Sequence, residues 1–123
     1  MEISQSVEDY LEAIYLAEAD KGHVRVKDIA LKLDIKLSSV TGMFKKLEEE
    51  GFIKSEKYGP VELTQKGKVI ARGVYSKHKL LNKFFLLLGV DKKIALEDAC
   101  RAEHVLSKKT LDKIRKFVNE KGN

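Results

Sequence analysis

Metal binding is the first chemistry that the residue types and spacing of this chain raise. Cys100, Glu103 and His104 form a C-x-x-E-H sequence inside a segment whose pattern predicts a helix. Positions i, i+3 and i+4 of a helix share one face, so a thiol, a carboxylate and an imidazole would point the same way. These groups are the usual protein ligands of divalent transition metals. The spacing predicts a metal-sensing protein and not a metalloenzyme, because the sequence shows no obvious catalytic residues beside these ligands.

Other candidate ligands lie far from this segment in the sequence. Asp9 and Glu12 are three residues apart in the first predicted helix, so their carboxylates also share a face. His78 lies midway along a long predicted helix. Each candidate has an ordinary alternative: the carboxylates as surface charges, His78 as a solvated polar residue, and Cys100 as a small buried apolar residue.

The predicted elements follow the order of a winged helix-turn-helix, with additional helices after it. Apolar spacing and turn residues predict, in chain order, helix 7–20 capped by Ser6, strand 23–26, helix 27–33, helix 38–50, hairpin 52–63, and helices 64–88, 91–106 and 107–120. We expect a mostly α-helical fold with a small β-hairpin wing. Residues 1–64 would form a winged helix-turn-helix DNA-binding domain, and residues 65–123 an α-helical dimerisation domain.

The second helix of a helix-turn-helix enters the major groove of DNA through its N-terminal residues. Here that end carries small hydroxyl residues, which permit close approach to phosphates, and lysines, whose phosphate contacts release counterions. Residues 25–47 contain six basic and two acidic residues, so the reading surface is locally positive. No arginine or asparagine occupies a groove-facing position, so little direct base readout is visible. The candidate DNA-binding residues of this helix, its flanks and the wing are Arg25, Lys27, Lys36, Ser38, Ser39, Thr41, Gly42, Lys45, Lys46, Lys57 and Tyr58.

Charge is distributed unevenly along the chain, whose formal net charge is +5. Residues 1–64 contain 9 Lys or Arg and 13 Asp or Glu, whereas residues 65–123 contain 15 and 6. The second half would therefore attract an anionic partner or simply present a solvated, lysine-rich helical surface. A winged helix used only for protein contacts is a further alternative for the first half.

The sequence also predicts a compartment and an assembly. No apolar run approaches the roughly 20 residues that span a bilayer, no secretory signal is visible, and a single cysteine suits a reducing compartment, so we expect a cytoplasmic protein without a membrane partner. The apolar run at Phe84, Phe85, Leu87 and Leu88 is too long for one helix to bury in a small core. It predicts a homodimer interface, the alternative being full burial within the monomer.

Four segments carry a resemblance to a known family. They are Glu8–Tyr15 in the first helix, Ser38–Thr41 at the start of the reading helix, Leu63–Gly67 at the end of the wing, and Glu97–Ser107 around the C-x-x-E-H sequence. Together they resemble the diphtheria toxin repressor and manganese transport regulator family of metal-dependent transcriptional repressors. The resemblance implies a homodimer that binds double-stranded operator DNA, and a metal bound between the first helix and the dimerisation domain by Asp9, Glu12, His78, Cys100, Glu103 and His104.

The implied ligand set is a hybrid of two family types. Cys100 resembles the iron type, since manganese-type members carry glutamate there, whereas Asp9 resembles the manganese type, since iron-type members carry methionine. The second metal site of the iron type would need a carboxylate and a histidine where this chain has Asn82 and Leu96. We therefore expect Fe(II), then Mn(II), with Zn(II), Ni(II) or Co(II) possible in vitro. In length the chain resembles the compact manganese type, without the SH3-like third domain.

The resemblance implies a metal-dependent repressor of iron or manganese homeostasis genes. An enzyme is disfavoured because the sequence has no H-E-x-x-H, no Gly-rich phosphate loop and no nucleophile-and-base pair at a known spacing, so no small organic substrate is expected. The alternative is a metal-independent winged-helix regulator that senses a small molecule, which predicts no stoichiometric metal.

Overall fold

The computed structural model describes residues 3–56 and 59–121. Its elements are α1 (Gln5–Lys21), α2 (Val26–Leu33), α3 (Leu37–Glu49), β1 (Ile53–Ser55), β2 (Val61–Leu63), α4 (Gln65–Leu87), α5 (Lys92–Ala102) and α6 (Lys108–Lys121). The predicted fold class, a winged helix-turn-helix followed by a helical domain, is confirmed. The chain divides into two compact units, Met1–Arg72 and Gly73–Asn123, and the division falls within α4.

Helix α1 begins earlier than the apolar spacing predicts. The Ser4 hydroxyl accepts a hydrogen bond from the Val7 backbone N–H at 3.2 Å, so Ser4, and not Ser6, is the N-cap. The helix ends at Gly22, whose φ of 80° is the left-handed conformation that glycine adopts without strain. The apolar period located the buried face of the helix but left its first turn unassigned, because that turn is largely exposed.

The helix-turn-helix is formed by α2, a tight turn and α3. Asp34 ends α2 in a left-handed conformation with φ of 55°, and the Ile35 backbone N–H donates to the Ala30 carbonyl at 3.0 Å. Helix α3 then buries Val40, Phe44 and Leu47 on one face, and its opposite face stays exposed. The exposed side chains of α3 are therefore accessible to a binding partner.

The wing is a two-stranded antiparallel sheet in which Ile53 pairs with Leu63 and Ser55 with Val61. The predicted strand at 23–26 was wrong, because α2 begins at Val26 and only Val24 forms an isolated bridge to Val61. Lys57 and Tyr58, which were predicted to contact DNA from the wing, lie outside the described residues.

The core of the first unit joins all its elements. Its fully buried side chains come from α1, the connection between α1 and α2, α2, α3, the residue before β1 and the wing, and include Leu11, Ile14, Val24, Ile29, Val40, Leu47, Phe52 and Ile53. The α1 and α3 faces also meet through an edge-to-face contact of Tyr10 and Phe44 at 6.5 Å. This packing fixes α3 against α1, so the exposed face of α3 has a defined direction within the unit.

The second unit packs the remainder of α4 with α5 and α6 around Leu81, Ala99 and Leu111. Helix α5 ends at Ala102, so the prediction of a helix to residue 106 was wrong. Ser107 caps α6 as predicted, since its hydroxyl accepts from the Thr110 backbone N–H at 3.2 Å. None of the helices within the described ranges is both long and apolar enough to span a membrane.

Candidate metal centre and nucleic-acid interface

In the second unit, α4 and the end of α5 bring four of the six predicted ligands together. Cys100 Sγ lies 3.6 Å from His78 Nδ1, which in turn lies 3.4 Å from Glu103 Oε2. The other carboxylate oxygen, Glu103 Oε1, lies 3.4 Å from His104 Nε2. A thiol, two imidazoles and a carboxylate therefore form one continuous cluster, although His78 is 22 residues from Cys100 in the sequence.

The helix end shapes this cluster. Glu103 lies just beyond the last residue of α5 but keeps right-handed helical angles (φ −57°, ψ −24°), and its backbone N–H still donates to the Ala99 carbonyl at 3.2 Å. The i, i+3 relation between Cys100 and Glu103 therefore survives the early end of the helix. His104 lies in the turn that follows, and its Nε2 atom lies 3.4 Å from a carboxylate oxygen of the adjacent Glu103.

Burial sets the electrostatics of the cluster. Glu103 is the one buried charged residue among those that the structure describes, with a side chain 1% exposed. Burial also lowers the pKa of His78, which favours the neutral imidazole, the form that binds metals. A carboxylate removed from water is costly unless positive charge compensates it. A divalent cation bound to the cluster would supply positive charge at this carboxylate.

The donor atoms also fit a transition metal in spacing and kind. Two ligand atoms bound at typical Zn–N and Zn–S distances lie about 3.1–3.6 Å apart at angles near 90–109°. The separations of 3.4 Å and 3.6 Å around His78 Nδ1 fall in this range. Imidazole and thiolate donors favour Fe(II), Zn(II) or Ni(II), whereas Ca²⁺ and Mg²⁺ require oxygen ligands. The residues present therefore fit a divalent transition metal.

The other two predicted ligands belong to α1 in the first unit. Asp9 and Glu12 are both half-buried and lie one turn apart on that helix. Their flanking residues Tyr10 and Leu11 are buried in the core, so the backbone that carries the two carboxylates is well anchored. Of the two positions expected at the second metal site of the iron type, Leu96 is apolar and 50% exposed, and Asn82 is half-buried.

The candidate nucleic-acid interface is the exposed face of α3 with its flanks. Nine of the predicted DNA-binding residues are described and all nine are exposed, namely Arg25, Lys27, Lys36, Ser38, Ser39, Thr41, Gly42, Lys45 and Lys46. The Thr41 hydroxyl donates to the Leu37 carbonyl of the same helix at 3.0 Å. The interface therefore presents four lysines and an arginine around a centre of small side chains.

Three exposed apolar side chains were not among the site residues predicted from the sequence. Leu37, the first residue of α3, is 54% exposed beside the predicted contact residues. Ile94 and Leu96 of α5 are each 50% exposed, while Ala95 and Ala99 of the same helix are buried. Helical periodicity could have identified these residues, because each of them lies off the buried face of its helix.

The comparisons with known proteins cover almost the whole chain. Residues 2–61 match the family model described as iron dependent repressor, N-terminal DNA binding domain. Residues 64–121 match the model described as iron dependent repressor, metal binding and dimerisation domain.

Individual relatives give the same picture. The HTH-type transcriptional regulator MntR of Lysinibacillus sphaericus is 41% identical over 92% of this chain and 81% of the relative. An uncharacterised HTH-type transcriptional regulator of Methanocaldococcus jannaschii is 40% identical over 96% of both chains. The solved structure of the manganese regulator SloR is similar with a TM-score of 0.78 and 33% identity, over 97% of this chain. The match covers 55% of the SloR chain, so the present chain spans about half of that protein.

Proposed function

Because the chain belongs to the iron-dependent repressor family of DNA-binding regulators, which are not enzymes, we propose that it is a cytoplasmic homodimeric repressor of iron or manganese homeostasis genes. Divalent metal would favour its binding to an operator in double-stranded DNA. The observation that carries this proposal is the cluster around His78 in the metal-binding half of the chain, where the exposed Cys100 thiol lies 3.6 Å and the buried Glu103 carboxylate 3.4 Å from His78 Nδ1.

The proposed ligands come from both halves of the chain. His78, Cys100, Glu103 and His104 would hold the metal in the helical domain. The resemblance of α1 to the first-helix signature of the family extends the set to Asp9 and Glu12. A bound divalent cation would neutralise part of the negative charge of these carboxylates.

The physical role of the ligands follows from their charges. Carboxylates and a thiolate held near one another repel unless their charge is neutralised, and the repulsion is strong in a partly buried site. We propose that neutralisation lets α1 hold a fixed position with respect to the dimer body. Since α1 packs on α3 through Tyr10 and Phe44, the two reading helices of the dimer would then match two operator half-sites.

The proposed metal is Fe(II), with Mn(II) next. Cys100 favours Fe(II), because thiolate ligands bind Mn(II) weakly, whereas the carboxylates at Asp9, Glu12 and Glu103 suit either metal. The likeness to a manganese regulator supports Mn(II) as the second candidate. Zn(II), Ni(II) or Co(II) would bind in vitro, since affinity in cells also depends on metal availability.

The proposed domain assignment gives residues 1–64 to DNA binding and residues 65–123 to metal binding and dimerisation. The dimer interface would use the outer side of Phe84, Phe85, Leu87 and Leu88. Leu87 and Leu88 are 42% and 59% exposed, so the apolar run is not fully buried within the described chain. The exposed Ile94 and Leu96 of α5 would extend the same apolar surface.

An anaerobic gel-shift titration tests the proposed function. The probes are genomic fragments upstream of this gene and of neighbouring metal transporter genes, with Fe(II), Mn(II), Zn(II) or a chelator present. We expect a shifted band that needs metal, disappears on chelation and returns when metal is added again. Binding that is indifferent to chelation would contradict the proposal and would favour the metal-independent regulator.

A substitution of His104 tests whether the metal dependence arises at the proposed metal centre. His104→Ala removes an imidazole whose side chain is 3% exposed and which contacts Glu103. We expect the variant to need much more metal for the same shift. His23→Ala is the matched control, because His23 is exposed and lies outside the metal-binding domain, and it should behave as the unmodified protein does.

A further inference from the structure

The N-terminal end of α3 lacks the side chains that usually read bases by hydrogen bonds. Arg, Lys, Asn and Gln supply most bidentate contacts to base edges, and none of them occurs between Leu37 and Phe44. Over this first turn and a half, the exposed residues are instead Leu37, Ser38, Ser39, Thr41 and Gly42. Any sequence preference of this end of the helix must therefore depend largely on small or apolar groups.

Thr41 uses its one hydroxyl proton within the helix. Thr41 Oγ1 donates to the Leu37 carbonyl at 3.0 Å, so the hydroxyl is held against the backbone one turn earlier. The methyl group is then the part of this exposed side chain that is most available to a base edge. Leu37 lies one turn before Thr41 on the same side of the helix and is 54% exposed. The two side chains form a continuous apolar edge at the N-terminal end of α3.

Gly42 allows this edge to approach a partner closely. A Cβ atom added at Gly42 would meet no heavy atom within 4 Å, so nothing within the chain requires a glycine there. Glycine is also unfavourable inside a helix compared with alanine. A residue that the fold does not need, placed beside Ser38 on the exposed face, is explained by close contact with the floor of a groove.

We propose that Thr41 and Leu37 determine sequence specificity by contacting the C5-methyl groups of thymines in the major groove. This inference rests on the proposed function, because it assumes that α3 enters operator DNA. In the major groove the thymine methyl is the apolar feature that distinguishes a T·A pair, and it accepts contact from threonine methyls and other apolar side chains. The surrounding Lys36, Lys45 and Lys46 are exposed and would hold the helix on the phosphates.

Replacement of thymine by deoxyuridine tests the proposal directly, because it removes only the methyl group. A duplex is first selected from random-sequence DNA with the metal-loaded protein, and each thymine is then replaced in turn. We expect at least one position in each half-site at which the dissociation constant rises about three- to fivefold, the equivalent of one buried methyl group. If every replacement left the dissociation constant unchanged, the proposal would be overturned.

Two substitutions at one position separate the methyl group from the hydroxyl. Thr41→Ser keeps the hydroxyl and removes the methyl, so it should weaken binding to the thymine duplex and lose the preference for thymine over uracil at that position. Thr41→Val keeps the methyl and removes the hydroxyl, so it should retain the preference. The reverse pattern would show that the hydroxyl reads the base and would overturn the proposal. Leu37→Ala should likewise abolish the preference at a neighbouring thymine.

Leu31→Ala is the matched control. Leu31 is also an exposed leucine of the helix-turn-helix, 81% exposed, but it belongs to α2. The control should retain the full preference for thymine over uracil. A protein that selects no duplex with metal present would refute the proposed function itself. A protein that binds a selected duplex and ignores all thymine methyls would refute only the inference about Thr41 and Leu37.

Discussion

At the scale of single residues, Glu103 lies at the middle of the proposed metal centre. Its carboxylate is almost fully buried and lies 3.4 Å from an imidazole nitrogen on each side, His78 Nδ1 and His104 Nε2. Cys100 adds a thiol at 3.6 Å from the same His78 nitrogen. The carboxylate would bind almost any divalent cation, whereas the thiol distinguishes softer metals from Mn(II). Metal preference is therefore expected to reside mainly in Cys100.

Cys100→Glu is expected to shift the preference from Fe(II) toward Mn(II), by on the order of tenfold in the ratio of their dissociation constants. A carboxylate oxygen replaces the thiolate and completes a harder ligand set. Competitive metal titration under anaerobic conditions measures the ratio. Glu97→Gln, an exposed change on the same helix, should leave it unaltered, and an unchanged ratio in the Cys100 variant would refute this role of the thiol.

At the scale of elements, capping and close approach fix the helices of the first unit. Asp28 in the first turn of α2 accepts a hydrogen bond from the Arg25 backbone N–H at 2.8 Å. The N-terminus of α4 approaches the chain before β1, where the Thr64 hydroxyl donates to the Gly51 carbonyl at 2.7 Å. Glu18 of α1 accepts from the Leu63 backbone N–H of the wing at 2.7 Å. These contacts join α1, the wing and the start of α4 within one compact unit.

Gly67→Ala should destabilise the protein by about 1–3 kcal/mol. A Cβ at Gly67 would overlap the backbone carbonyl oxygen of Phe52 and would lie 3.1 Å from Leu63 Cδ2, and the backbone cannot move aside cheaply. Gly73→Ala in the same helix is the control, because its Cβ would meet nothing within 4 Å. It should stabilise the helix by up to about 1 kcal/mol. Urea denaturation of both variants measures the difference, and equal free energies of unfolding would contradict the close approach.

The α2 cap predicts a dependence of stability on pH. The Arg25 backbone N–H holds the pKa of Asp28 below its ordinary value, with Lys21 and Lys27 acting in the same direction and burial opposing them. A lowered folded-state pKa means that the stabilisation is present above the ordinary pKa and is lost as pH falls through the folded value. Asp28→Ala should therefore cost roughly 1 kcal/mol near neutral pH and much less in acid. Thermal denaturation of the variant between pH 7 and pH 3 measures this loss of stability. Asp20→Ala, a change at an exposed aspartate, is the control. A loss of stability that does not vary with pH would contradict a role for the charged Asp28 carboxylate as a cap.

At the scale of the whole molecule, the proposed activity requires two copies of the chain. Two reading helices must meet two half-sites, and the helical domain that matches the dimerisation model carries the apolar residues that would join them. Leu87 and Leu88 at the end of α4 are 42% and 59% exposed. Exposed apolar surface of this kind is costly in water and is typical of an interface between subunits.

Leu88→Glu is expected to weaken self-association by about 2 kcal/mol or more, because dimerisation would bury an unpaired charge. Val69→Glu is a close control, since Val69 is also an apolar residue of α4 that is 59% exposed, but it belongs to the first unit. Sedimentation equilibrium of both variants with metal present measures the dissociation constant. Equal effects of the two substitutions would refute this position of the interface.

The sequence by itself determined the order of the elements and the residue types available for chemistry. The apolar period gave the buried faces of α1 and α3, and the C-x-x-E-H spacing selected Cys100, Glu103 and His104. These features are local, because helix periodicity and capping depend on neighbours within about one turn. The same locality explains the error at the first turn of α1, where the exposed Gln5 and Ser6 carry no periodic signal.

Tertiary structure alone decided which distant groups meet. His78 and Cys100 lie 3.6 Å apart only because α4 and α5 pack around Leu81 and Ala99. The burial of Glu103 and the lowered pKa of His78 arise from that packing, since both measure the removal of water by parts of the chain remote in sequence. A sequence lists possible ligands, whereas their distances and their solvation are properties of the folded chain.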